Sequence, residues 1–339
     1  MRILKYLILF SVCAVTVWYC AAQKNEFQVV SGQVFGTFYN IKVKAGHENR
    51  LLQREVKEEL AKVNAEMSVF EMSSEISEIN RQPAGKWIDL SPEMSLLLKN
   101  AYEIYTMSNG AFDPTTARLI DLWGFGTKGA IQKLPSEEEI KEILKTTGFN
   151  KIQFSNNFKR LRKKYDETTL NLSAIAKGYG VDRLSALLKK SGYNNYVVEV
   201  GGEVVASGVK SDAVNGWNIG IATPTNEGNE NSFVVTLKDY AVATSGDYRN
   251  FFFIDDKQYS HTINPQTGYP VEHNLVSVTV FHKNCMMADG LATAIMAMGE
   301  EKAKGFIAQN NLATVMFVKD ENKNIVPIIS DAAQKLGIK

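Results

Sequence analysis

Apolar positions recur at two periods along this chain, and the helical period dominates early while short alternating runs dominate late. From Gln28 to Lys44 the residues alternate in hydrophobic character around Gly32 and Gly36-Thr37, which predicts a bent hairpin or bulged strand pair. Leu52, Val56, Leu60, Val63 and Met67 then fall three and four apart, one stripe of a helix. Ser73 to Asn80 is polar and reads as a loop. Ser91-Pro92-Glu93 opens a second helix with a capping hydroxyl and a proline at the first helical position, and Asn109-Gly110 supplies its stop. Ser136 to Thr147 is a third, with three glutamates at its positive end. Asn156-Asn157 reads as a hairpin turn, and Val181 to Lys190 as an amphipathic helix. Short β-type runs follow at Tyr196 to Val200, Val204 to Val209, Trp217 to Ala222, Ser232 to Leu237 and Ala241 to Thr244, separated by Gly, Asn and Asp. Tyr248 to Ile254 and Gln258 to Ile263 flank Asp255-Asp256 as a further hairpin. Leu275 to Phe281 is a strand, Ala288 to Met298 and Lys302 to Asn310 are helices, and Ala313 to Val318 is a late strand. No fixed-period repeat or low-complexity linker interrupts this order. The expectation is one α+β domain over 23–339, with helices packed on mostly antiparallel sheet.

A length of 339 residues with 45% hydrophobic content provides ample core material. The formal net charge is +1, and the only basic cluster, Lys159 to Lys164, fits a solvated strand, so no nucleic-acid partner is expected. The N-terminus changes the picture more. Arg2 and Lys5 precede an apolar run from Tyr6 to Tyr19, followed by polar sequence from Gln23 to Glu26. That is the order of an export signal over 1–22, and the run is short for a transmembrane span. Cys20 is the candidate lipid-bearing residue of a bacterial lipoprotein, although Val17-Trp18-Tyr19 departs from the usual small-residue pattern; cleavage after Ala22 to a soluble protein is the alternative. With Cys13 inside the signal, Cys285 has no partner for a disulfide in the mature chain.

Candidate chemistry gathers in a few short runs. Asn171 to Tyr179 leads from a small polar turn into a helix, where unpaired N–H groups and the positive dipole end suit phosphate. Asp289 and Thr293 stand four apart, so on a helix a carboxylate and a hydroxyl share one face. Two hard oxygens without Cys or His nearby favour Mg²⁺ or Ca²⁺ over zinc; the alternative is that Asp289 caps a helix and Thr293 bonds back to the chain. Val200-Gly201-Gly202-Glu203 permits close approach of a flat ligand, or is simply a hairpin. Ala243 to Arg249 ends a strand with a hydroxyl and an Asp/Arg pair, or is a structural turn. His261 sits at a strand end before a turn-rich loop, where a neutral imidazole could take a proton from a hydroxyl or could bond to loop backbone.

Taken in order, Phe35-Gly36-Thr37, Ser73-Ser74-Glu75-Ile76-Ser77, Phe112-Asp113-Pro114-Thr115, Leu172 to Gly178, Val200 to Glu203, Ala243 to Arg249, His261-Thr262-Ile263-Asn264-Pro265 and Ala288 to Thr293 resemble the ApbE-type flavin transferases. Each run is weak alone; eight in order across the mature chain are specific. The resemblance implies a T-fold-like α+β body and a bacterial extracytoplasmic transferase on the periplasmic side of the inner membrane. Its activity would be to move FMN from FAD to a Thr or Ser of an acceptor protein of a membrane redox complex, releasing AMP. It further implies Mg²⁺ on Asp289, Thr293 and the main-chain oxygen of Ala174. FAD contacts would come from Phe35, Phe70, Ala111, Phe112, Asp113, Asn171, Lys177 and Ile263, with His261 as base. Phe35 and Phe70 depart from the family, whose members often carry Met and Tyr there, so a tyrosine hydroxyl is lost at position 70. The competing readings are a Mg²⁺-dependent FAD pyrophosphatase giving FMN and AMP, and a non-catalytic flavin-binding protein.

Overall fold

The alternation at 28–44 closes as a two-residue hairpin. Strands β1 (Phe27–Val34) and β2 (Thr37–Lys44) pair antiparallel with Val34 opposite Thr37, and Phe35 and Gly36 between them have φ of 50° and 73°. Both central residues with positive φ match the right-handed twist of the flanking strands, a conformation that costs glycine little and phenylalanine more. The computed structural model describes residues 27–45, 49–126, 129, 131–224, 231–246, 251–254 and 257–338. The export signal with Cys20, the Asp247-Tyr248-Arg249 end of one motif and the Asp255-Asp256 pair lie outside them.

After the hairpin come the helices Leu52–Met67 and Glu75–Arg81, β3 (Ile88–Asp89), the helices Pro92–Met107, Ala117–Leu122 and Glu137–Thr146, β4 (Ile152–Phe154), β5 (Arg160–Lys163) and the helix Ser173–Lys190. Then follow β6 (Tyr196–Val200), β7 (Glu203–Ser207), β8 (Trp217–Thr223), β9 (Asn231–Leu237), β10 (Tyr240–Gly246), β11 (Phe251–Ile254), β12 (Lys257–Ser260) and β13 (Leu275–His282). The helix Cys285–Gln309, β14 (Ala313–Lys319), β15 (Ile325–Ile329) and the helix Asp331–Lys335 complete the chain. Eight strands form one sheet in the order β1-β2-β6-β7-β10-β13-β14-β15, every neighbouring pair antiparallel. The expected α+β class with antiparallel sheet is therefore what folds.

Period-two alternation sends successive residues of the central strands to opposite faces. Ala243, Val278, Val280, Met316 and Val318 join the helical core with Ile104, Ile175, Leu291 and Ile295, while Val242, Phe281, Val315 and Phe317 pack with Trp217, Ile221, Val235 and Leu237 of the β8–β9 ribbon. A third cluster fixes the Leu52–Met67 helix on β1, β2 and β6 through Leu52, Val56 and Leu60 against Ile41, Val43 and Val198.

Several expectations are corrected. The polar run at 73–80 is mostly helix: Ser74 caps Glu75–Arg81, accepting from the Ser77 N–H, and Ile76 and Ile79 are buried. Two apolar residues were enough for a seven-residue helix whose cap looked like a loop. The helix expected to start at Val181 starts at Ser173, because Ala174, Ile175 and Ala176 continue it N-terminally. The two late helices run as Cys285–Gln309, broken at Gly299 with φ 72° and ψ 168°. The two-residue strand β3, the strand β15 and the Ala117–Leu122 helix were not anticipated from the pattern.

Candidate active site

Two helices cross at Gly178. A Cβ there would lie 2.4 Å from the Cys285 carbonyl oxygen, so glycine alone lets Ser173–Lys190 lie this close to the first turn of Cys285–Gln309. Asp182 pins the crossing, its Oδ1 accepting from the Cys285 N–H and its Oδ2 from the Met286 N–H, each at 2.9 Å. Asn284 caps the same helix end by accepting from the Met287 N–H. Burial outweighs the two backbone bonds and pushes the Asp182 carboxyl up to about 6.

One turn further on, Asp289 reaches back: its Oδ2 accepts the Gly178 N–H at 3.0 Å. Asp289 thus lies inside its own helix and bonds to the neighbouring one, which sets aside the capping alternative. In a regular helix the Gly178 N–H serves the Ala174 carbonyl. Here it also serves a carboxylate, so that carbonyl keeps acceptor capacity. Burial raises the Asp289 carboxyl, and Lys177 and the Gly178 N–H work against that rise.

The Lys177 Nζ lies 3.6 Å from Asp289 Oδ1 and 3.4 Å from Glu203 Oε1. Its carbon stem passes over Gly201, where a Cβ would sit 3.1 Å from Lys177 Cδ. Gly201 and Gly202, with φ of 58° and 102°, form the two-residue loop between β6 and β7 and deliver Glu203 to the start of β7. The paired glycines are therefore a hairpin, and the hairpin carries the site. Burial disfavours the Lys177 charge, yet Asp289 and Glu203 hold it above the ordinary lysine range. Burial raises the Glu203 carboxyl, with Lys177 opposing the rise and Asp289 adding to it.

These groups line a cleft of about 1460 Å³, which also collects segments of β8, β10 and the loop after β12. The same architecture recurs in solved proteins. The flavin transferase ApbE from Vibrio cholerae superposes with a TM-score of 0.84 at 35% identity, over 91% of this chain and 99% of that one. The ApbE family profile matches residues 35–317. The chain belongs to the ApbE family.

Other ApbE relatives extend the likeness through most of the sequence. A V. cholerae protein named FAD:protein FMN transferase is 38% identical over 296 residues, 86% of this chain and 88% of the relative. Its Haemophilus influenzae namesake is 35% identical over 328 residues, 93% and 94% of the two chains. The apo flavinyl transferase ApbE of Pseudomonas stutzeri matches at 33% identity and a TM-score of 0.84, over 92% of this chain and 97% of that one.

Of the residues that the ApbE resemblance singles out, Phe70, Ala111, Phe112, Asp113, Asn171, Ala174, Lys177, His261, Ile263, Asp289 and Thr293 all line the cleft. They do so in different ways. Phe70 is 74% exposed at the rim, whereas Phe112 is 2% exposed and belongs to the helical core. The Asp113 carboxylate is spoken for: Oδ1 accepts from the Thr115 N–H and hydroxyl, and Oδ2 from the Phe149 N–H. Burial raises that carboxyl despite these bonds. Asn171 ties two walls together, its N–H donating to the Pro114 carbonyl at 2.7 Å and its Oδ1 accepting from the Ser173 N–H at 2.9 Å. Ile263 packs with Leu119, Trp123 and Ile140. His261 is half-buried, its ring 6.3 Å from that of Phe125 in an edge-to-face arrangement.

Phe35 is not among the cleft-lining residues. Its ring packs at the seam of two core clusters, over Gly180, whose Cβ position is 3.0 Å from the ring. The Ser73 to Ser77 run also stays off the cleft; there Glu75 accepts from the Ser91 N–H at 2.8 Å and its hydroxyl at 2.6 Å, joining two helix starts.

Glu203 and Asn80 are cleft residues to which the sequence reading gave no role of their own. Glu203 was legible only as the end of a hairpin motif. Asn80 lay in the supposed loop, yet its side chain clamps Leu170, accepting from its N–H at 2.7 Å and donating to its carbonyl at 2.9 Å. Lys163, 1% exposed, donates to the Asn80 carbonyl at 2.8 Å and the Asp166 carbonyl at 3.1 Å, and so braces the approach to Asn171. A basic residue inside a basic run gives no sign that its ammonium is buried.

Proposed function

We propose that this chain transfers FMN from FAD to a Thr or Ser hydroxyl of an acceptor protein, forming a phosphoester and releasing AMP. The observation that carries the reading is Lys177 held beside Asp289 on the wall of a cleft roomy enough for a dinucleotide, in a chain of the ApbE family.

Mg²⁺ fits the donors offered. Asp289, Thr293 and the Ala174 carbonyl are hard oxygens lining one cleft, and a buried carboxylate facing an ammonium already marks the position as one that holds cations. Among the described residues no three His, Cys, Asp or Glu side chains converge. A site with so few protein ligands suits magnesium, which keeps waters and binds phosphate oxygens. When bound, the ion would neutralise charge on the diphosphate and hold it in place.

The chain's own groups do the rest. The first turn of the Ser173–Lys190 helix turns its positive dipole end to the cleft at Ala174, which suits phosphate, and Lys177 adds a point charge. Phe70 offers a ring face for the flavin at the rim, and the main chain of 111–113 and Asn171 border it. His261 takes the proton of the acceptor hydroxyl as its oxygen bonds to the FMN phosphorus. The bond from that phosphorus to the bridging oxygen breaks, and AMP departs with that oxygen. The export-signal pattern supports an acceptor outside the cytoplasm, with Cys20 as the anchor of this chain, and the family resemblance points to a membrane redox complex as that acceptor's home.

Incubation of the mature protein with FAD, Mg²⁺ and an acceptor peptide, followed by mass spectrometry, is the test. A yellow covalent adduct with one AMP released per adduct is expected, and His261→Ala should slow it by roughly 10²- to 10⁴-fold. FMN and AMP without adduct would make the protein a pyrophosphatase instead, and flavin bound without turnover would make it a binder.

A further inference from the structure

The transfer reading gives Glu203 no task. It is 2% exposed and lines the cleft, and its Oε2 is buried without a hydrogen-bond partner. Buried carboxylate oxygens are nearly always satisfied, so an idle one facing a ligand cleft calls for a reason. The geometry supplies it. A single ammonium, that of Lys177, lies almost equidistant from two carboxylates, 3.4 Å from Glu203 and 3.6 Å from Asp289. That ammonium faces Oδ1, the Asp289 oxygen that does not accept the Gly178 N–H and so is the one left for a divalent cation. An ammonium and a divalent cation on one carboxylate repel each other, so as the ion arrives the ammonium gains by moving toward a second anion.

We propose that Glu203 is a positioning residue for Lys177: it takes over the ammonium when a divalent cation engages Asp289. The inference rests on the cation reading given above and extends it to a residue outside the ligand set. Lys177 is free to make the shift because its stem runs over Gly201, where a side chain would crowd it. Glu203 is fixed at the receiving end by the tight Gly201-Gly202 loop and by pairing with Val200 across the hairpin. Its unused Oε2 gives the displaced ammonium a second acceptor. Without Glu203, Lys177 would stay on Asp289 and compete with the incoming ion.

The test is Mn²⁺ binding to the full mature chain, followed by electron paramagnetic resonance without flavin, in wild type, Glu203→Gln, Lys177→Met and the double variant. Glu203→Gln should weaken Mn²⁺ binding by about 10- to 100-fold, the range for lost outer-shell partners of a metal ligand. With Lys177→Met in place, no ammonium needs rehousing, and the same Gln substitution should change affinity by less than about threefold. Glu203→Asp, which keeps the charge at shorter reach, should fall between wild type and Gln and serves if the Gln variant folds poorly. Equal Mn²⁺ affinity in wild type and Glu203→Gln would overturn the proposal. So would an equal loss with and without Lys177, since Glu203 would then act on the ion directly. Wild-type protein that binds no Mn²⁺ would remove the cation reading itself, and this inference with it.

Discussion

The Asp289 carboxylate accepts the backbone N–H of Gly178 across 111 residues of sequence, at 3.0 Å. That bond joins the helix presenting Ala174 and Lys177 to the helix presenting Asp289 and Thr293, so phosphate-facing and cation-facing groups share one rigid crossing. Its geometry depends on the missing side chain at Gly178 and on Asp182 across the neighbouring helix start.

Gly178→Ala should force the helices apart, since the added methyl would meet the Cys285 carbonyl. Overpacking of this kind costs about 1–3 kcal/mol. Urea unfolding should show that loss, and Mn²⁺ binding should weaken in the same variant because Asp289 loses its register. A variant as stable as wild type would show that the crossing tolerates expansion.

Asp289→Asn separates charge from shape. The amide oxygen can still accept the Gly178 N–H, so the fold should survive with a melting temperature near wild type. Divalent-cation binding should fall at least about tenfold, because a neutral oxygen replaces the one carboxylate among the proposed ligands. Isothermal titration with Mg²⁺ and a thermal melt on the same sample decide both halves.

Asp182 sets a pH dependence of stability. Its carboxyl rises from an ordinary 3.8 to about 6 in the folded chain, chiefly through burial. Between those values the folded state keeps a proton that the unfolded state has released, so stability falls as pH rises from about 4 to about 6 and levels off above. The drop should be on the order of 3 kcal/mol. Denaturant unfolding across that range should lose this component in Asp182→Asn, and a wild-type curve parallel to the variant's would rule it out.

Lys163→Met should leave the Asn80 and Asp166 carbonyls without their buried donor. Each unsatisfied group costs about 1–3 kcal/mol, offset in part because burial lowers the Lys163 pKa and disfavours its charge. The variant should be less stable by ~2 kcal/mol and should bind FAD more weakly through a loosened Asn80–Leu170 clamp. Fluorescence titration with FAD at a temperature where both proteins are folded separates the two effects.

Much of this protein was decided by sequence alone. The stripe Leu52 to Met67, the capped start at Ser91-Pro92 and the apolar, β-branched runs of β13 and β14 depend on local pattern, and local pattern is written in the residues. The order of motifs was also written there, and it led to the family and to eleven side chains that do line one cleft. Tertiary structure decided what each of those groups is free to do. It withdrew the Asp113 carboxylate into Thr115 and Phe149, turned the Phe35 ring into a core seam, and placed Glu203 and Lys163 where burial gives an ordinary charge a particular role. The physical reason is that a motif fixes which groups are present, whereas burial and many hydrogen-bond partners come from other segments, 36 residues away for Asp113 with Phe149 and 83 for Lys163 with Asn80, and only packing brings those together.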